Sequence, residues 1–200
     1  MTRGKPAWRL PPSDLARRLL PLLDLAAGTH LVRIHGIGRH PHYFGPPSTP
    51  RNRFDDPQGE FGVCYLGLED AGVFAETFLR AQNLKALAGA DLATAALADG
   101  TLTRGVRLVE FSGAGLVHLG IPAGTVHAAY RVTRPWTRAF WAHPDTPDGI
   151  LYRSRWDNDC RCVALFDRAA SALSIGPGPA LIDLPHRLGP VLDRYQLGLY

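Results

Sequence analysis

Apolar positions along the chain recur at two different periods, and the runs that carry them are short. "HLVRIHG" (30–36), "FGVCYLGL" (61–68), "GVRLVEFS" (105–112), "GLVHLG" (115–120), "ILYRS" (150–154) and "CVALFD" (162–167) are brief apolar or alternating stretches, which predicts strands. Leucines at helical spacing after Ser13 predict an amphipathic helix over 14–26, bent or broken at Pro21. "DAGVFAETFLRAQ" (70–82) predicts a helix with Val73, Phe74, Phe78 and Leu79 on one apolar stripe. "VTRPWTRAFWAHP" (132–144) predicts another, with Pro135 near its first turn and Trp136, Phe140 and Trp141 packing inward. "PHRLGPVLDRYQL" (185–197) predicts a terminal helix interrupted at Pro190. Residues 36–60 hold too many Gly, Pro, Asn and Asp for a regular element and predict a long loop, of the kind that is either functional or mobile. Elements of both types, mixed and short, predict the α+β class: a single domain with a mixed, bent β-sheet flanked by helices.

Composition narrows this reading. At 200 residues, 46% hydrophobic and 20% charged, the chain can bury one sizeable core and lacks the signature of disorder. The formal charge of +4 comes mostly from arginines dispersed along the chain, which fits an anionic ligand as well as a solvated basic surface. Cys64, Cys160 and Cys162 are odd in number and lack framework spacing, so a reducing compartment, the cytoplasm, is expected. No 18-residue apolar run exists, so no membrane span is expected. "MTRGKPAWRLPPSD" is positively charged but is not followed by the apolar core of a signal peptide.

Several polar residues sit where an apolar pattern would not place them. Arg33 lies in the middle of an apolar strand, where an unpaired guanidinium would cost several kcal/mol, so an anionic ligand or a core carboxylate should meet it. Glu76 has apolar neighbours, Phe74, Ala75 and Phe78, yet a helical glutamate often faces water. Tyr65 in "VCYLGL" is either core with its hydroxyl satisfied or a ligand platform. Ser154 stands between Arg153 and Arg155, at a strand end. His40, His42, Cys160 and Cys162 would be odd zinc ligands, because each pair has one intervening residue rather than two to four. There is no G-x-S-x-G elbow, no G-x-G-x-x-G and no Walker loop.

In chain order, "VRIHG", "RNRFDDPQGEFGVCYLG", "YLGLEDAGVFAETF" and "DGILYRSR" resemble the RES-domain family, which is named for an arginine, a glutamate and a serine occurring in this order. Arg33, Glu76 and Ser154 are the matching residues, and the resemblance runs from about residue 31 to 167. It divides the chain into an N-terminal helical extension (1–30) and a RES domain (31–200). It implies an ADP-ribosyltransferase-like fold and a toxin that cleaves the nicotinamide–ribose bond of NAD by phosphorolysis or hydrolysis. The partner it implies is an Xre-type antitoxin, with self-assembly also a property of such toxins. NAD would be substrate, inorganic phosphate a candidate co-substrate, and no prosthetic group or metal is called for. An alternative within the same resemblance is transfer of ADP-ribose to a protein.

The residue chemistry suits that role. Breaking the glycosidic bond of NAD develops positive charge on the ribose, so a carboxylate is wanted beside it, and Glu76 is the candidate. Arg33 would take the pyrophosphate in a two-point contact, Arg53 is a second candidate for phosphate or for inorganic phosphate as the attacking group, and Tyr65 would offer its face to the nicotinamide. Ser154 would fix the ribose or the carboxamide, and the stretch Tyr152 to Arg155 would form one wall of the pocket. His35 shares the strand face of Arg33 and could support the site or the core. A rival from another class is a small basic RNA-binding or RNA-cleaving protein. That reading wants basic residues clustered with stacking aromatics, whereas here the arginines are dispersed and Trp136, Phe140 and Trp141 sit at core spacing; no direct nucleic-acid contact is expected.

Overall fold

The computed structural model describes residues 9–45, 49–80 and 84–200. Residues 1–8 of the expected N-terminal extension, 46–48 of the expected loop, and 81–82 at the end of the expected second helix lie outside the described residues. The elements run β1 (Leu22–Leu25), β2 (His30–Gly36), β3 (Val63–Gly67), α1 (Asp70–Phe78), β4 (Ala86–Leu87), α2 (Gly89–Ala93), β5 (Ala95–Leu102) and β6 (Val106–Glu110). They continue with α3 (Gly113–Leu119), α4 (Tyr130–Trp141), β7 (Gly149–Arg153), β8 (Arg161–Phe166), β9 (Leu173–Ile175), α5 (Pro185–Arg194) and β10 (Gly198–Leu199). Eight strands make one sheet in the order β1-β6-β7-β8-β3-β2-β5-β9, while β4 and β10 pair with each other. Within the large sheet β6 and β7 are parallel and every other pairing is antiparallel, so the α3–α4 segment is the crossover that a parallel pair requires. A single α+β domain with a mixed sheet is the class that the pattern of short elements predicts. Among the described residues no helix is long and apolar enough to cross a membrane.

Strand alternation distributes the core over both faces of the sheet. Ile150, Tyr152, Cys162, Ala164 and Phe166 join one cluster with Trp136 and Phe140 of α4, whereas Leu151, Val163 and Leu165 join a second. In a third, Val73 and Phe74 of α1 and Leu188 and Val191 of α5 cover Val32 and Leu97.

Three expected elements differ. Residues 14–26 are not a helix: a 3-10 turn at Leu15–Arg17 is followed by strand β1, which forms one edge of the sheet. Pro21 stops helical propagation, its carbonyl accepts the Glu110 N–H at 2.7 Å, and Leu22–Leu25 then zip against Val106–Val109. "GLVHLG" is helical, because Leu116 and Leu119 reach the core one turn apart while Val117 is 80% exposed. Gly120 closes this helix at φ 68, returning amides to the Leu116 and Val117 carbonyls. Pro190 does not interrupt α5, which continues on both sides of it. Strand β5 has no apolar run that announces it, yet "AALADGTL" pairs with β2 along the whole of that strand, from His30↔Thr101 to Gly36↔Ala95.

One irregularity of the sheet prepares a site. Strands β2 and β3 are neighbours registered only at Val32↔Gly67, whereas β3 and β8 pair along their length. Past that one rung the two strands part, and the residues that would pair next, Arg33 and Ile34 on β2 and Tyr65 and Leu66 on β3, line a cavity instead.

Candidate active site

The cavity between the parted strands has a volume of about 260 Å³, and α1 leans over it. Helix α1 can do so because β3 ends in Gly67, where a Cβ would lie 2.7 Å from Val73 Cγ1. A side chain there would push the helix off the sheet, and Glu76 with it. Gly72 allows a similarly close approach to Cys160 and Cys162, where a Cβ would come within 3.2 Å of the Cys160 Cβ.

Glu76 is the polar centre. Its Oε1 accepts two hydrogen bonds, from the Ser154 hydroxyl and from the Arg155 N–H, both at 2.8 Å. Its Oε2 lies 4.0 Å from Nη2 of Arg53, too far for a hydrogen bond. Ser154 is fully buried, and its Oγ in turn accepts the Trp156 N–H at 3.1 Å and the Asp157 N–H at 3.3 Å. With its lone pairs taken by two amides, the hydroxyl proton is committed to Glu76. So Ser154 stands behind the carboxylate and does not reach the cavity where a ribose or carboxamide would touch it.

Arg53 is only 8% exposed, and its Nε and Nη1 are buried with no partner among the described residues. Its guanidinium lies 5.6 Å from the Phe54 ring centre and 5.8 Å from that of Tyr152. Residues 52–60 of the loop that carries it are tied to α4: Thr133 donates to the Arg53 carbonyl at 2.8 Å, Arg134 to that of Asn52, and Arg138 pairs with Asp56 and Glu60. Tyr65 fastens the same loop from β3, donating to Asp55 at 2.8 Å and accepting the Phe54 N–H at 3.0 Å. Burial and the Asp55 carboxylate together hold the Tyr65 hydroxyl well above its ordinary range, so it remains protonated.

Arg33 meets no carboxylate among the described residues. Its Nη1 faces the carbonyls of Pro41 at 2.7 Å and Tyr43 at 2.8 Å and the Cys64 sulfur at 2.7 Å, so the core ion pair allowed by the sequence is replaced by neutral acceptors. Tyr152 and Arg155 line the cavity, as do Arg33, Arg53, Tyr65 and Glu76, while Arg153 turns away to the Asn158 carbonyl. His35 lines a different, open cavity with Arg39 and His40. Among the described residues no three His, Cys, Asp or Glu side chains gather as a metal site, and His42 spends its Nε2 on the Ala170 carbonyl.

The RES domain family model matches residues 30–183. The chain belongs to the RES domain family. Among curated proteins, "Probable toxin y4kH" of Sinorhizobium fredii is 30% identical over 109 residues, 54% of this chain and 85% of that protein. Among solved structures, a chain of the M. tuberculosis MbcT–MbcA toxin–antitoxin complex superposes with a TM-score of 0.56 at 15% identity, covering 80% of this chain and 90% of that one, a likeness of fold. Arg33, Glu76 and Ser154 all fall inside the matched RES span, and the fold brings the second and third into direct contact.

This RES domain also brings to the site residues that the sequence did not mark. Tyr130 of α4 and Trp156 are partly exposed at the cavity, and Asn52 and Arg80 line it. His127 precedes α4 with its Nδ1 buried and unpartnered among the described residues. Burial holds its imidazole below the ordinary 6.5, Arg53 and Arg155 push it down further, and Glu76 opposes them. These are electrostatic neighbours that no local pattern reveals. Because its folded value lies below the unfolded one, His127 costs stability as pH falls below 6.5. Following the His127 ring by NMR, we expect Arg155→Ala to raise its titration midpoint and Glu76→Gln to lower it; no response to either change would place His127 outside the field of the site.

Proposed function

We propose that this protein is an NAD-consuming toxin that breaks the nicotinamide–ribose bond, with phosphate or water as the acceptor. The observation that carries the reading is the Ser154–Glu76 hydrogen bond beside a buried Arg53 guanidinium, two of whose nitrogens have no partner among the described residues, in a cavity that Arg33 and Arg155 also line. Bond cleavage sends the glycosidic electron pair to nicotinamide, which leaves neutral, and an oxygen of phosphate or water then bonds to the anomeric carbon, an attacking water releasing its proton to solvent. Glu76 stabilises the oxocarbenium-like transition state through Oε2, the oxygen that the Ser154 and Arg155 hydrogen bonds leave free. Ser154 orients that carboxylate. Arg33 and Arg53 supply positive charge for phosphate groups, Arg53 with two nitrogens unpartnered among the described residues and Arg33 after its Nη1 has secured the loop. The faces of Tyr65 and Tyr152 form the wall against which the nicotinamide end rests. A cavity of about 260 Å³ suits one end of the dinucleotide, the remainder lying along the open mouth near Tyr130 and Trp156.

The same reading makes the protein cytoplasmic, where NAD is plentiful, and gives it an antitoxin partner, supported by the toxin and toxin–antitoxin complex to which it is similar. An Xre-type antitoxin and self-assembly are the finer parts of that proposal. The test is to incubate the purified protein with NAD, with and without inorganic phosphate, and to follow nicotinamide and the ADP-ribosyl product. ADP-ribose 1-phosphate formed only with phosphate identifies phosphorolysis, free ADP-ribose identifies hydrolysis, and label on protein identifies ADP-ribosyl transfer. An absence of nicotinamide under all conditions would overturn the enzyme reading.

A further inference from the structure

The turn that presents Ser154 is not held by its own hairpin alone. Between β7 and β8 it closes on itself through Ser154 N–H to the Cys160 carbonyl at 3.0 Å, Cys160 N–H to the Asp157 carbonyl at 3.1 Å, and Asp159 N–H to Asp157 Oδ1 at 3.0 Å. Asp157 is the node of this turn, and its other oxygen is gripped from outside. Oδ2 accepts from Arg194 Nε at 2.9 Å and from the Tyr195 hydroxyl at 2.7 Å, both at the end of α5. The same hydroxyl oxygen lies 3.1 Å from the Ala71 carbonyl in the first turn of α1, and the Tyr195 ring stacks on Phe74 with centroids 6.1 Å apart and planes 12° apart. One side chain therefore touches both elements that bring Ser154 and Glu76 together. Burial acts to raise the Asp157 carboxyl, but the Tyr195 hydroxyl, the Asp159 amide and the Arg194 guanidinium outweigh it and bring it down to about 2, so the node is anionic at neutral pH. Helix α5 lies beyond residues 30–183, the span matched by the family model.

We propose that Tyr195 and Arg194 are positioning residues for the active site: by anchoring Asp157 to α5 they hold the Ser154 hydroxyl where it orients Glu76. The proposal rests on the NAD-cleaving reading for its kinetic part only. Asp157 hands its own N–H to Ser154 Oγ, so a shift of the turn lengthens the 2.8 Å bond from Ser154 to Glu76. Misplacement of a catalytic group by about 1 Å can cost about 10²-fold in rate, and losing one of the two side chains that tie Asp157 to the end of α5 should cost less, about tenfold.

The test combines kinetics with amide exchange in the full-length protein. Tyr195→Phe keeps the stack on Phe74 and removes only the hydroxyl, while Arg194→Gln and Arg194→Lys separate the charge from the stem. We expect Tyr195→Phe to lower kcat for nicotinamide release about tenfold with KM within about twofold, because the carboxylate is misaimed and binding is not. Exchange at the Arg155 and Trp156 amides, which bond to Glu76 and Ser154, should speed up about tenfold, while amides of the β3–β8 ladder keep their rates. Arg194→Lys should recover most of the kcat lost in Arg194→Gln. An unchanged kcat, a change in KM alone, or equal losses in the two Arg194 variants would overturn the assignment. If the wild-type protein releases no nicotinamide, the NAD reading fails by itself and exchange alone decides: faster exchange at Arg155 and Trp156 in Tyr195→Phe upholds the positioning role, and unchanged exchange removes it.

Discussion

Glu76→Gln is expected to cut nicotinamide release from NAD by about 10²–10³-fold while the fold survives, the cost of removing one preorganised electrostatic stabiliser. Glutamine keeps the volume and retains a carbonyl oxygen to accept from Ser154 and Arg155, so the turn after β7 should stay in place. What disappears is the negative charge opposite Arg53, the charge proposed to stand beside the ribose. Far-UV circular dichroism and the unfolding midpoint report the fold, and the NAD assay reports the chemistry. Full activity in a folded Glu76→Gln protein would remove Glu76 from the mechanism. A large loss of stability would instead mean that the carboxylate is needed chiefly to balance Arg53.

Arg53→Met should move stability and function in opposite directions. The guanidinium is 8% exposed, two of its buried nitrogens have no partner among the described residues and its third is 4.0 Å from the Glu76 carboxylate, so the free protein carries the desolvation cost of a charge that its contacts only partly offset. Methionine fills a similar space among Phe54 and Tyr152 and should stabilise the protein by about 1–2 kcal/mol, which for a chain of this size is about 2–8 °C in Tm. The same change removes a charged donor worth about 1.5–3 kcal/mol to a phosphate, so KM for NAD or for phosphate should rise about 10- to 100-fold. A thermal melt and an initial-rate series on one protein sample check both halves. A lower Tm with an unchanged KM would make Arg53 structural. The trade of stability for binding is what a site preorganised for an anion entails.

Much of the fold could be read along the chain because local periodicity and burial agree there. Residues 30–36, 61–68, 150–154 and 162–167 read as strands and carry all or most of β2, β3, β7 and β8, while 70–82 and 132–144 read as helices and carry α1 and most of α4. Where the reading failed, a partner elsewhere decided. Leu22–Leu25 has helical neighbours and becomes a strand because β6 offers it an edge after Pro21. Ala95–Leu102 is poor in strand formers and is a strand because β2 and β9 lie on either side of it.

The site divides along the same line. Sequence alone determined which residues to suspect: Arg33, Glu76 and Ser154 stand out through the order they share with the RES family, and Arg53, Tyr65, Tyr152 and Arg155 through the motifs around them that resemble it, because a motif is legible in the chain without its partners. Only tertiary structure decided what each one does with its hydrogen bonds, since their partners, from 8 residues away for Arg33 and Pro41 to 78 for Ser154 and Glu76, are met through packing. It turned Ser154 inward to Glu76, gave the Arg33 Nη1 to carbonyls and a sulfur, set Tyr65 to fasten a loop, and brought His127 and α5 to a site that no local pattern connects them with. It also made the cavity, because a ladder of hydrogen bonds that stops after Val32↔Gly67 is a property of two strands and the helix wedged beside them, not of either strand's residues.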